Sequence, residues 1–142
     1  MITSLNDFHF YVGKTVMYCQ CIEHDIKHIY AGMLAGDFAG NLREIERWTL
    51  GQTVRELRAL DHSDGNPYFT QPDYTLLAQV TDIRNYWAHT AYATFIYGEE
   101  REVAAQFRAA ASRLWEDHAR LDQVYRGVER IRAEVLQKYH RT

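Results

Sequence analysis

Apolar positions recur at helical spacing along nearly the whole chain. Phe8, Tyr11/Val12, Cys19, Ile22, Ile26, Ile29/Tyr30 and Met33 step by three and four, which predicts a first helix running to about Leu34. Ser4 or Asn6 is suited to cap it. The stretch Ala35 to Asn41 holds two glycines and an asparagine and interrupts the pattern, so a turn is expected before a short helical piece from Leu42 to Trp48. Thr49 and Gln52 have the spacing of a capping box and open a helix with Leu50, Val54, Leu57 and Leu60 on one face. Asp61 to Pro67 is the clearest loop. Thr70 to Asp73 caps again, and the segment Asp73 to Tyr97 turns Leu76/Leu77, Val80, Ile83, Trp87, Ala91 and Phe95 inward. Gly98 is expected to end it.

From Val103 the apolar positions form a heptad seam: Phe107, Ala110, Leu114, Leu121, Val124, Val128, Ile131 and Val135, with Asp117 as its one defect. A single helix from about Glu99 to Tyr139 would span roughly 60 Å. Core packing explains the seam most simply; a kink, or contact with a second subunit, would also accommodate such a length. No segment alternates with period two long enough for a strand. The expectation is an all-α, up-and-down bundle of four to five helices with a long C-terminal helix, a single domain over residues 1–142.

Composition narrows the function classes. A chain 46% hydrophobic and 25% charged is that of an ordinary globular protein rather than a disordered one. No run approaches the roughly 20 apolar residues of a membrane span, and the first residues lack the basic start and apolar stretch of a signal peptide, so a cytoplasmic protein is expected. Cys19 and Cys21 lie about 200° apart around a helix, which suits neither a mutual disulfide nor a shared metal. No histidine pair has zinc-like spacing with a third ligand, and no metal or other cofactor is expected. A net charge of −3 argues against nonspecific coating of nucleic acid, although from Arg126 onward five basic residues outweigh two acidic ones.

One hexapeptide departs from the scaffold pattern. Arg84-Asn-Tyr-Trp-Ala-His89 places an arginine, an asparagine and a histidine within an apolar helical segment, where charge is costly without a partner or a task. Arg84 and His89 are offset by about 140° and a rise of about 7.5 Å, so a shared ligand would need a groove completed by another helix or subunit. Asn85 lies four residues before His89 on the same face and is placed to orient the imidazole. These groups suit RNA cleavage by its own 2′-hydroxyl. Histidine transfers protons near neutral pH, and arginine offers a permanent charge with paired donors for phosphate oxygens.

The hexapeptide resembles the Arg-x(4–6)-His signature of the HEPN superfamily, and the helical pattern over most of the chain is similar to that family's architecture. The resemblance implies a metal-independent endoribonuclease of toxin or phage-defence type, with RNA as substrate, in which two subunits line one cleft. On it, Arg84, Asn85 and His89 carry over as active-site residues. It implies a homodimer, for which the heptad seam offers apolar surface, and leaves room for an antitoxin protein as partner. In the toxins silenced by adenylylation a tyrosine follows two residues after the histidine; Ala91 stands there and Tyr92 comes one later, which departs from that mode. Whether Glu23 or Asp25 joins the cleft stays open. Tyr86 and Trp87 are expected in the core, and His24, His28 and His118 on solvated faces. The alternative to the enzyme is a non-catalytic HEPN-like module that binds RNA or a protein partner.

Overall fold

A computed structural model describes residues 1–142 as six helices and no strand. Helix α1 (Leu5–Met33) starts at Ser4, whose hydroxyl accepts from the Asp7 amide at 3.0 Å. Its last carbonyls are not left bare. The Asn41 amide donates to the carbonyls of Ala31 and Leu34, and the Arg141 guanidinium donates to those of Gly32 and Leu34, the latter at 2.7 Å. Two distant segments thus supply the acceptor-satisfying groups that a helix end requires.

Helix α2 (Phe38–Ile45) begins four residues ahead of the expected Leu42, because the Asp37 carboxylate accepts from the Gly40 amide at 2.9 Å and caps it. Helix α3 (Leu50–Asp61) is capped by Thr49, whose hydroxyl accepts from the Gln52 amide. Its last residue, Asp61, is buried and accepts from the amides of Tyr68 and Phe69 and from the Tyr74 hydroxyl. That carboxylate clamps the loop predicted at 61–67 onto the next helix. Burial, together with this bond, pushes the Tyr74 hydroxyl well above its ordinary pKa.

Helix α4 (Gln71–His89) opens with a complete capping box between Thr70 and Asp73. It does not continue to Tyr97. It stops at His89, and a turn leads into the one-turn helix α5 (Ala93–Ile96). The cause is tertiary. Tyr92 and Phe95 fold back edge-on to Phe8, with ring centroids 5.5 and 5.2 Å away, and Phe95 also meets Phe107 at 5.4 Å. Such edge-to-face packing adds to burial. Consequently the hexapeptide occupies the end of a helix rather than its middle.

Helix α6 (Glu100–Lys138) is one uninterrupted helix of 39 residues, about 58 Å long at 1.5 Å per residue. It packs along α1, and the heptad seam is consumed there: Ala110, Leu114, Leu121, Val124, Val128, Ile131 and Val135 are all buried. The seam therefore offers no face to a second subunit. Asp117, its defect, accepts from the Trp87 indole nitrogen at 2.8 Å and lies 3.7 Å from Arg113. All six helices contribute to one cluster of 30 buried hydrophobic residues. No helix is long and apolar enough to cross a membrane.

Candidate active site

Helix α4 presents the hexapeptide in two directions. Trp87 points inward, is 2% exposed, and ties α4 to α6 through Asp117. Tyr86 is half-buried, and the Arg113 guanidinium lies over its ring at 3.4 Å. Arg84 reaches from α4 to α1, where its Nη1 donates to Glu23 Oε2 at 3.0 Å. The Glu23 carboxylate holds the guanidinium alongside α1. With the Arg84 side chain 35% exposed and that of Glu23 24% exposed, the pair is neither sealed nor free.

Asn85 and His89 lie on the outer face, both exposed. His89 is the last residue of α4. Arg84 is thus fixed against α1, while Asn85 and His89 project into solvent from another face of α4, as the angle between positions 84 and 89 requires.

Glu23 and Asp25, left open by the sequence, separate cleanly. Glu23 faces α4 and Arg84, whereas Asp25 is 4% exposed and faces α6, where Arg132 Nη1 donates to it at 3.1 Å. Lys27, one turn beyond Glu23, lies 3.9 Å from its other oxygen, and its ammonium donates to the Glu46 carbonyl at 2.9 Å. Sequence reasoning overlooked Lys27. Its signal was the Glu23/Lys27 spacing of four, which places both on one face. His9 was overlooked as well. Its Nδ1 shares a hydrogen bond with the Tyr92 hydroxyl at 2.7 Å, so Tyr92 is both engaged and, through burial, raised in pKa.

No protein-family model, no curated protein and no solved structure matches the chain. The chemistry must be read from the groups themselves. Cys19, beneath the groove, is buried, and that burial pushes its thiol up to about 12, which removes it as a thiolate nucleophile near neutral pH. No group of three or more His, Cys, Asp or Glu side chains is placed to hold a metal ion. What the α1/α4 contact does offer is a guanidinium held in place by a carboxylate, with a second cation beside that carboxylate. A solvent-facing imidazole stands on another face, at the end of α4. That set is suited to recognising a phosphate and moving protons beside it.

Proposed function

We propose that the protein is a metal-independent endoribonuclease, of the toxin or phage-defence kind, acting at a site shared by two copies of the chain. The observation that carries this reading is Arg84. Its guanidinium is oriented by Glu23 between α4 and α1 yet keeps part of its surface in solvent. Asn85 and His89 of the same helix are exposed on a neighbouring face, where a second copy could bring its own motif to complete the site. In the proposed reaction His89 takes the proton from the 2′-hydroxyl, whose oxygen bonds to phosphorus. Arg84 stabilises the charge gathering on the phosphorane oxygens. The bond to the 5′-oxygen then breaks, and His89 of the second copy protonates the leaving oxygen. The products are a 2′,3′-cyclic phosphate and a 5′-hydroxyl.

The second copy would sit on the outer stripe of α1. Phe10 is 62% exposed and Met17 46% exposed there, with Gly13 between them and open space where its side chain would be. This stripe lies on α1, the helix that also carries Glu23, and it replaces the heptad seam as the surface available for association. The test is cleavage of a single-stranded RNA in EDTA by the parent protein and by His89→Ala. The parent should cut, the variant should not, and RNA methylated at the 2′-oxygens should resist both. An antitoxin partner is part of the same proposal and has no separate support in the groove.

One observation favours a non-catalytic module instead. Glu23 already neutralises Arg84, as in a structural ion pair. A parent protein that binds RNA or a protein yet cuts nothing would establish that alternative.

A further inference from the structure

Glu23 has two neighbours. One of its oxygens holds Arg84; the other side of the residue forms part of the wall of a separate groove between α1 and α2, with a volume of about 490 Å³. This is within the roughly 300–1,000 Å³ of small-ligand sites. Its lining is almost wholly polar: Gln20, Glu23, Lys27, Arg43 and Glu46 surround it, and Leu42 is its one hydrophobic residue. Such a lining suits neither an apolar ligand nor the buried face of a partner helix.

The groove also carries a flat aromatic surface. The rings of His24 and His28 are stacked, with centroids 4.0 Å apart and planes inclined by 27°. Both rings are held. His28 Nδ1 donates to the His24 carbonyl at 2.9 Å, and His24 Nδ1 meets the buried Asp25 carboxylate at 3.0 Å. Phe38 packs edge-on against His28 at 5.8 Å. Because a carbonyl only accepts, His28 carries its proton on Nδ1 and leaves Nε2 as an acceptor. Burial holds His28 below its ordinary pKa, which favours that neutral ring. At the rim Arg43 is about three-quarters exposed, with only a loose 3.9 Å contact to an equally exposed Asp37.

We propose that the α1/α2 groove is a nucleotide subsite, which takes the unpaired RNA residue next to the scissile phosphate. Its base lies against the His24–His28 imidazole pair and its phosphate against Arg43. The inference rests on the reading of the Arg84 groove as a site that acts on RNA, and adds where the neighbouring nucleotide is read. Three observations converge on this occupant. Unpaired bases stack on histidine and other aromatic rings. The Gln20 amide and the Glu23 and Glu46 carboxylates supply donors and acceptors for a base edge. And Glu23, which lines the groove and holds Arg84, makes the two sites neighbours through one side chain. In this arrangement the subsite confers base preference on the cut.

The experiment titrates the parent protein with single-stranded 2′-O-methyl oligonucleotides of each base composition, which can bind but not be cut. Binding is followed by fluorescence anisotropy and by the imidazole NMR signals of His24 and His28. The expected result is tighter binding of some bases than others, with both imidazole signals moving. The surface variants His24→Gln and Arg43→Gln should each weaken binding, by about tenfold for a lost stacking or phosphate contact, and the double variant should bind all bases alike. On cleavable RNA of mixed sequence its cut sites should redistribute. If the parent binds and cuts RNA, and Arg84→Ala impairs both, while the imidazole signals stay still and the His24 and Arg43 variants behave as the parent, the subsite is overturned and the ribonuclease reading stands. If the parent neither binds nor cuts RNA, both fall together. The NMR titration needs no variant, so a misfolded substitution leaves the question decidable.

Discussion

Two carboxylates two residues apart on α1 each hold an arginine from another helix, and the two pairs are built for different ends. Asp25 and Arg132 join α1 to α6 in the interior. The carboxylate side chain is 5% exposed and that of Arg132 31% exposed, with Arg132 Nε buried and without a partner. Glu23 and Arg84 join α1 to α4 at a groove, at almost the same distance, 3.0 against 3.1 Å, but with 24% and 35% of their side chains in solvent. Neither distance nor the exposure of the arginine separates them; the burial of the carboxylate does. A carboxylate sealed inside anchors its arginine to the fold, because no ligand reaches that carboxylate. A half-open pair orients a guanidinium and still lets it meet a phosphate. The α6 side of α1 thus carries architecture, and the α4 side carries the candidate chemistry.

The largest expected effect comes from removing each arginine in turn and measuring RNA cleavage. Arg84→Ala should lower the rate by roughly 10²–10³-fold through lost charge stabilisation, and Arg84→Lys should recover only part, since a point charge lacks the guanidinium fork. His89→Ala should fall in the range of about 10²–10⁴-fold expected for a proton-transfer group. Arg132→Met, if folded by circular dichroism, should cut at close to the parent rate. Equal losses from the Arg84 and Arg132 variants would erase the distinction between the two pairs.

Stability should show the reverse ranking. Asp25→Asn leaves the Arg132 charge uncompensated in a largely buried setting, a change that costs about 2–3 kcal/mol once the partial exposure of Arg132 is allowed for. Glu23→Gln breaks a half-exposed pair, for which about 1 kcal/mol or less is expected. Urea denaturation of the two variants measures the difference. A Glu23 variant as unstable as the Asp25 one would mark Arg84 as a structural support and strengthen the non-catalytic alternative.

Much of this frame was legible from residue spacing. The period of three and four along Phe8 to Met33 and Val103 to Val135 anticipates α1 and α6, and threonines 49 and 70 mark the starts of α3 and α4. The end of α4 was not legible. Nothing local at Thr90 breaks a helix as glycine or proline would; the stop comes from Tyr92 and Phe95 packing on Phe8, more than eighty residues earlier. Similarly, the spacing of Glu23 and Asp25 fixes that they point apart around α1, but which of them meets Arg84 depends on how α4 docks. Asp117 looked like a fault in a seam because its partner, the Trp87 indole, lies thirty residues away on another helix. The stacked histidines at positions 24 and 28 also looked merely solvated, since α2 is what turns their face into a groove.

The same division should hold inside the hexapeptide. Trp87→Phe keeps an aromatic ring, though a smaller one, and removes the donor to buried Asp117, leaving that carboxylate with Arg113 at 3.7 Å and Arg120 at 3.9 Å. A loss of about 1–2 kcal/mol is expected for such an unmade bond to a charged group. Cleavage by the folded variant should change far less than with His89→Ala, two residues along. A thermal melt and a rate on the same preparation decide this. A Trp87 variant that is fully stable but inactive would move the tryptophan from the fold to the site.

The smallest effect concerns acid, and it tests whether the α6 side is also where pH acts on folding. His118 packs between α1 and α6, with its ring 4.8 Å from that of Tyr11 and 5.8 Å from that of Trp115. Its Nε2 is buried without a partner, so a proton added there finds no acceptor. Burial lowers its pKa first and the Lys14 ammonium second, against a weaker opposing pull from the Asp122 carboxylate. A histidine whose folded pKa lies below its unfolded value of about 6.5 binds fewer protons in the folded state. Stability therefore rises with pH across that interval. This contribution is whole above about pH 6.5 and is lost progressively as the pH falls toward the folded pKa. Half-buried His28, on the outer side of α1, acts in the same direction for the same first cause. Because both rings retain solvent contact, the effect should be modest, and it is best read as a slope. Urea midpoints between pH 7.5 and 5 should fall with acidity, less steeply in His118→Gln and less steeply again with His28→Gln added. A slope unchanged by His118→Gln would mean that the imidazole is solvated enough to take its proton freely, and that the α1/α6 contact at Tyr11 and Trp115 is looser than its packing distances imply.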